Sequence, residues 1–232
     1  MNLLTGRDIG IKVDERWLYR EVDFHLAQKR MLAIVGDNGV GKTTLLQAIL
    51  GQRKLTEGEL QWHTENGKQP TIRYVPQYRP DMQAFPLYIK DFVALSFDRG
   101  LRPWLSAQEK HQLQHILEDT NLLALADRRI DTASGGERQR AYLAQALAQN
   151  PQILILDEAT ANLDNSAKYE LMDVVKHYRD HHDLTIIMVS HDLDIVSDYG
   201  DDYLLLTPHG NEFGDCKDAD LARLKVRYDA DV

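Results

Sequence analysis

The sequence predicts an α/β fold: a mixed sheet with buried strands, a small antiparallel β flank and one inserted helical subdomain. Three observations lead there. Two short apolar runs, residues 30–35 and 153–156, have the composition of strands buried on both faces of a parallel sheet. Helix-forming segments follow each run, as crossover connections require. Residues 78–133 interrupt this alternation with a stretch that reads as loops and helices.

In chain order, residues 3–13 and 22–26 have the pattern of strands of the antiparallel flank, with 59–63 and 71–75 as further short strands. The run at 30–35 precedes a helix over 43–50, which Gly51 stops. In the inserted stretch, Ser106 and Glu109 stand at capping-box spacing, and Leu113, Ile116 and Leu117 follow at helical spacing. After Ser134 the alternation resumes. A helix over 136–149 stopped by Asn150-Pro151 leads to the strand at 153–156, a helix over 167–178 and a strand over 185–189. Residues 215–232 read as a short polar tail. No internal repeat, low-complexity tract or flexible linker stands out, so the chain is expected to be one domain over 1–232: a core of 1–77 and 134–232 with the helical subdomain at 78–133.

Composition excludes some functions before any motif is weighed. At 232 residues with 43% hydrophobic and 27% charged, the chain has the makings of an ordinary globular core. A net charge of -9 disfavours nucleic-acid binding, which needs clustered Lys and Arg. Cys216 is the single cysteine, so no intrachain disulfide can form, and a reducing compartment fits. The start, MNLLTGRD, has no basic segment followed by a long apolar one, and no apolar run reaches membrane-spanning length. A membrane role would have to come through a partner.

The chemistry concentrates in three motifs. Residues 36–43 read GDNGVGKT, between an apolar strand and a helix. In such a phosphate loop Gly36, Asp37, Asn38, Gly39, Val40 and Gly41 offer closely approaching backbone N–H groups. The Lys42 ammonium reaches the outer phosphates, the Thr43 hydroxyl binds Mg2+, and Thr44 continues into the helix. The helix N-terminus adds its partial positive charge. This order of strand, glycine loop and helix predicts a nucleotide site rather than a glycine-rich turn with an incidental lysine, and together with the two motifs that follow it makes an ATP-hydrolysing P-loop, RecA-like core the leading reading. The run ILILDE then delivers Asp157 and Glu158 at the C-terminal end of a central strand, where α/β folds bind ligands. Asp157 is the candidate Mg2+ partner and Glu158 the candidate general base. The alternative is a pair of acids that simply end a strand. Finally, Ser134-Gly135-Gly136-Glu137 precedes a helix and forms a second candidate anion site, without a lysine of its own. The economical explanation is that this second site serves an ATP held by another copy. As a bare tetrapeptide it is a weak signal, more often a flexible turn.

Six motifs in one order, namely GDNGVGKT, Gln77 in YVPQ, Ser134 to Glu137, ILILDE, Asn162-Leu163-Asp164 and His191 in VSHD, resemble the nucleotide-binding subunit of ABC transporters over nearly the whole chain. The resemblance implies a head-to-tail dimer, with each ATP between one copy's Lys42 loop and the other's Ser134 loop. It further implies that Thr43, Gln77 and Asp157 serve Mg2+ or its waters, that Glu158 is the base, that His191 meets the γ-phosphate and that Asp164 lies at the dimer seam. The implied partners are transmembrane permease subunits, whose coupling helix would sit between the core and the inserted subdomain, and a second copy or a paralogous ATPase. No nucleic acid is expected. The chain would then be cytoplasmic, peripheral on the inner face of the cell membrane. Intact Lys42, Asp157, Glu158 and His191 speak against a non-hydrolysing module. A single cassette, no long insertion between Gln77 and Ser134 and the acidic balance speak against an ATPase of this superfamily acting on nucleic acid or ribosomes. Phe85-Pro86-Leu87, Asp91-Phe92-Val93 and the VSHDL run look like those of metal-ion or metal-chelate importers.

Several positions depart from the family pattern: Lys29-Arg30 for Gly-Glu, Ala133 for leucine, Glu137 for glutamine and Ala159 for proline. The position that often carries an adenine-stacking aromatic falls near Val13. Trp17 or Tyr19 could substitute, with core packing the favoured role of either. His181-His182 is expected to be a solvated turn rather than a metal pair.

Overall fold

The computed structural model describes residues 1–63, 69–77, 86–97, 104–207 and 209–218, which fall into two compact units. Parts of three sequence expectations lie outside the described residues: the start of the inserted subdomain at Tyr78, Phe85, and the tail from 219 on.

The first unit comprises residues 1–70 and 185–232. Its small sheet has β1 (Asn2–Val13) between β2 (Arg16–Ala27) and β4 (Glu57–Trp62), both antiparallel to it. The β1–β2 turn places both Asp14 and Glu15 at positive φ, 46° and 67°, as a two-residue hairpin turn matching strand twist requires. The predicted flank is therefore present, with β2 longer than the 22–26 run suggested: Trp17 and Tyr19 pair across to Lys12 and Ile11.

The unit's second set of strands is mixed. Here β3 (Met31–Val35) lies parallel to β7 (Thr185–Ser190) on one side and to β8 (Asp202–Thr207) on the other, and β9 (Gly210–Asp215) closes antiparallel on β8. Every residue of β3 and β7 is buried, which explains the unbroken apolar runs. Fully burying each Leu or Ile contributes about 1.5–3 kcal/mol, so β3 alone is a substantial part of the core. Helix α1 (Lys42–Ile49) leaves the loop after β3, and Gly51 beyond it takes φ +70°, the expected left-handed stop.

The second unit spans 71–184. β5 (Ile72–Val75) and β6 (Ile153–Asp157) run parallel, with Tyr74 opposite Ile155. The helices are α2 (Ile89–Ala94), α3 (Ala107–Asp119), α4 (Gly135–Leu147) and α5 (Asn165–His181). The predicted Ser106–Glu109 capping box is formed on α3, and a second one, Ser134–Glu137, starts α4.

One expectation needs correction. The polar tail does not begin at 215: Asp215 ends β9, and Cys216 behind it is buried. Strand β9 is polar in sequence (GNEFGD), so its pattern carries no strand signal. It is held by pairing to β8 and by Arg30, whose guanidinium bonds Asp202 at 2.8 Å and Asp215 at 2.9 Å. At the end of α5, His181 is exposed, and His182 in the turn behind it is half-buried. Its ring stacks on Tyr178 at 4.0 Å, and Nε2 lies 3.7 Å from the Asp119 carboxylate. Strand β8 and α6 (Leu193–Tyr199), the latter capped by Asp192, are further elements that the sequence patterns had not named.

Candidate nucleotide site

The loop from Gly36 to Gly41 has its shape fixed by glycine at defined points. Gly36 takes φ +152°, and a Cβ there would lie 2.3 Å from the Leu206 carbonyl oxygen. Gly41 takes φ +106°, and its Cβ would meet Tyr19 Cε1 at 2.8 Å and Leu18 Cδ1 at 2.9 Å. Any side chain at either would force the loop outward. Gly39, at φ +87° with no atom within 4 Å of a built Cβ, is required by its backbone conformation alone.

Lys42 is 5% exposed, and its Nζ donates to the Gly36 carbonyl at 2.6 Å and the Asp37 carbonyl at 2.9 Å. The ammonium is thus held inside its own loop. Val40 is buried, Asp37 and Thr44 are half-buried, and Asn38 and Thr43 are exposed. Helix α1 begins at Lys42 behind Gly41, an N-cap with no side chain, so its first-turn N–H groups have no carboxylate or hydroxyl of the helix's own cap across them. That arrangement suits phosphate. In the same unit, exposed His191 stands at the end of β7, just before Asp192, whose N–H donates to Ser190 Oγ.

In the second unit, β6 carries Asp157 to its end as an 8% exposed carboxylate. The Tyr74 hydroxyl donates to Asp157 Oδ2 at 2.6 Å. Burial, and then this carboxylate, push the Tyr74 phenol well above its usual pKa, so it remains a donor through the neutral range. Glu158 follows at φ +49°, a left-handed conformation uncommon for a non-glycine residue, and is half-buried. Half-buried Gln77 follows β5, where the neighbouring Pro76 carbonyl accepts from Gln139 Nε2 at 3.2 Å.

At α4, Ser134 Oγ accepts from the Glu137 N–H at 3.3 Å, while Glu137 Oε2 accepts from the Ser134 N–H at 2.7 Å. Arg128 pairs with the other carboxylate oxygen at 3.0 Å. The acid that departs from the family's glutamine is thus bound to both a backbone donor and a guanidinium. Gly136 owes its identity to packing as well, because its Cβ would fall 2.9 Å from Ala167 Cβ on α5. Asp164 caps α5, accepting from the Ala167 N–H at 2.9 Å.

The predicted residues therefore sort by unit: Gly36 to Thr44 with His191 in one, Gln77, Ser134 to Glu137, Asp157 and Glu158 in the other. Tyr19 is 5% exposed and forms the wall behind Gly41, so it is a packing residue as favoured. Trp17 is half-buried with the Arg20 guanidinium 4.6 Å over its ring. Tyr74 and Arg128 are contacts the sequence motifs did not name. Only strand register and helix placement bring them to Asp157 and Glu137. Among the described residues no three His, Cys, Asp or Glu side chains form a metal cluster, and no helix is long and apolar enough to cross a membrane.

Known proteins point the same way. The ABC transporter family model matches residues 19–161, more than half of the chain. The chain is 30% identical over 207 residues to the zinc transport system ATP-binding protein AdcC of Streptococcus pneumoniae, covering 87% of this chain and 88% of that one. It is 33% identical to the zinc import ATP-binding protein ZnuC of Marinobacter nauticus, over 89% of this chain and 75% of that protein. Among solved structures, cbiO1 from Clostridium perfringens, part of the ABC transporter complex cbiONQ, superposes with a TM-score of 0.83 at 25% identity, covering 97% of this chain and 93% of that one. With a glycine loop shaped for phosphate, a buried lysine within it and an acidic pair ending a buried strand, the chain belongs to the ABC transporter family as an ATP-binding, ATP-hydrolysing subunit.

Proposed function

We propose that this chain is the ATPase of a metal importer, taking up zinc or a related metal ion or chelate through a separate transmembrane permease, and that it acts as a pair on the inner face of the cell membrane. The observation that carries this reading is the complete hydrolytic set, Lys42, Asp157, Glu158 and His191, in a chain whose relatives are named as zinc importers over most of their length. The family's division of labour then applies to a single domain with a helical subdomain at 78–133, whose neighbouring groove would receive the permease.

On this reading the backbone of Gly36 to Thr44 cradles the phosphates of ATP, Lys42 swings from its loop carbonyls to the outer phosphates, and His191 meets the γ-phosphate. Thr43, Gln77 and Asp157 offer a hydroxyl, an amide and a carboxylate, the hard oxygen donors Mg2+ prefers, and the buried Asp157 carboxylate already has one oxygen fixed. Bound Mg2+ would neutralise charge on the phosphates. Glu158 takes the proton of the attacking water. Ser134 to Glu137 of a second copy closes over the γ-phosphate, and its loss on hydrolysis reopens the pair. Shifting such a pair from 1:99 to 99:1 closed takes about 5.5 kcal/mol of differential binding, within reach of two ATP molecules held by charge-assisted bonds.

A crossed mixture tests the shared site. Ser134→Arg blocks one half, Lys42→Ala damages the other, and each alone should be nearly inactive. Mixed, Lys42 of one chain faces Ser134 of the other, so ATP-dependent association should partly return. No association in the mixture, with wild-type chains associating under the same conditions, would remove the shared site. Cargo is tested with the permease in proteoliposomes: ATP-driven Zn2+ uptake is expected, and transport of none of Zn2+, Mn2+, Co2+ or a metal chelate would overturn the importer reading.

A further inference from the structure

We infer that Tyr74 is a positioning residue for Mg2+-dependent nucleotide binding: its hydroxyl holds one oxygen of Asp157 so that the other faces the metal. This inference rests on the proposed role of Asp157.

The geometry has three parts. Tyr74 sits on β5 opposite Ile155 of β6, in a parallel register that carries Val75 opposite Leu156, so the tyrosine side chain reaches forward past one more residue to Asp157. The bond is 2.6 Å, in the short range of a hydroxyl donating to an ionised carboxylate. Exposure is opposite at its two ends: Tyr74 is 42% exposed and Asp157 8%. A large aromatic on an open strand face gains little from packing, yet its one polar atom is committed to a buried acid. An ionised carboxylate accepts at about four lone-pair positions. Holding Oδ2 hinders rotation about χ2 and leaves Oδ1 as the oxygen free of this bond. Groups that orient a metal-ligating carboxylate in this way typically change metal affinity by about 10–100-fold when removed.

The test uses the full chain and a fluorescent methylanthraniloyl-ATP, whose dissociation constant is measured in EDTA and across a Mg2+ series. Tyr74→Phe deletes only the hydroxyl. It should leave the EDTA constant unchanged and raise the half-saturating Mg2+ concentration about 10-fold. Asp157→Asn should raise it at least as far. If Asp157→Asn shifts the Mg2+ dependence and Tyr74→Phe does not, the positioning role is wrong while the Mg2+ site stands. If Asp157→Asn also leaves it unchanged, the Mg2+ role of Asp157 has failed first, and the inference falls with it. A Tyr74→Phe loss equal in EDTA and in Mg2+, accompanied by a lower thermal midpoint, would make Tyr74 a structural residue and overturn the inference.

Discussion

The ammonium of Lys42 lies 2.6 Å from the carbonyl oxygen of Gly36, six residues earlier in the same loop. A buried cation keeps its charge only if its donors are met, and here the loop's own carbonyls meet them. The same charge is therefore available to ATP only by exchange of one set of oxygens for another. Lys42→Ala removes the phosphate partner, and hydrogen bonds to charged groups contribute about 1.5–3 kcal/mol. ATP affinity should fall by about 10–150-fold in a direct titration. Unchanged affinity would take Lys42 out of the site.

Glu158→Gln keeps shape and most hydrogen bonding but cannot accept a proton from water. ATP binding should persist while single-turnover hydrolysis slows by at least ~100-fold. Near-normal hydrolysis would show that Glu158 is not the base.

Gly136 sets two effects against each other. It is the second residue of α4, where alanine gains at most the helix-interior value of about 0.8–1 kcal/mol over glycine. The added Cβ, however, would sit 2.9 Å from Ala167 Cβ, and overpacking costs about 1–3 kcal/mol. Neither atom is the end of a flexible side chain, so the clash should win. Gly136→Ala is expected to lower the thermal midpoint, and Gly136→Ala with Ala167→Gly to recover part of the loss. A higher midpoint for the single variant would mean that α4 and α5 separate at little cost.

Burial, with Asp202, Asp215 and Asp201 nearby, pushes the Cys216 thiol up to about 12. A thiol raised in the folded state contributes stability that is complete below its unfolded value of about 8.5 and is lost as pH rises from there through about 12. Denaturant midpoints should therefore decline above pH ~8.5, and less steeply in Cys216→Ala. Native protein should also react slowly with iodoacetamide at pH 8, because thiolate is the nucleophile. Rapid labelling of folded chain would contradict the buried position.

The sequence by itself determined the fold class, the glycine loop and the acidic strand end, because each is written in local chemistry. Two buried strands need unbroken apolar runs, a phosphate loop needs glycine at particular φ values, and a helix start needs its cap. The same locality explains what the sequence concealed. Polar β9 is a strand only because β8 offers it a ladder and Arg30 holds Asp202 and Asp215. His182 comes within 3.7 Å of Asp119 because the end of α5 returns to α3, whereas its stacking on Tyr178 is a contact within one helical turn. Glycine at 136 answers to Ala167, thirty-one residues away, and Tyr74 reaches Asp157 through a strand register no periodicity encodes. Backbone chemistry is decided by neighbours along the chain. Tertiary structure alone decided which side chain orients the acid at the strand end, because such contacts depend on which distant segments pack together.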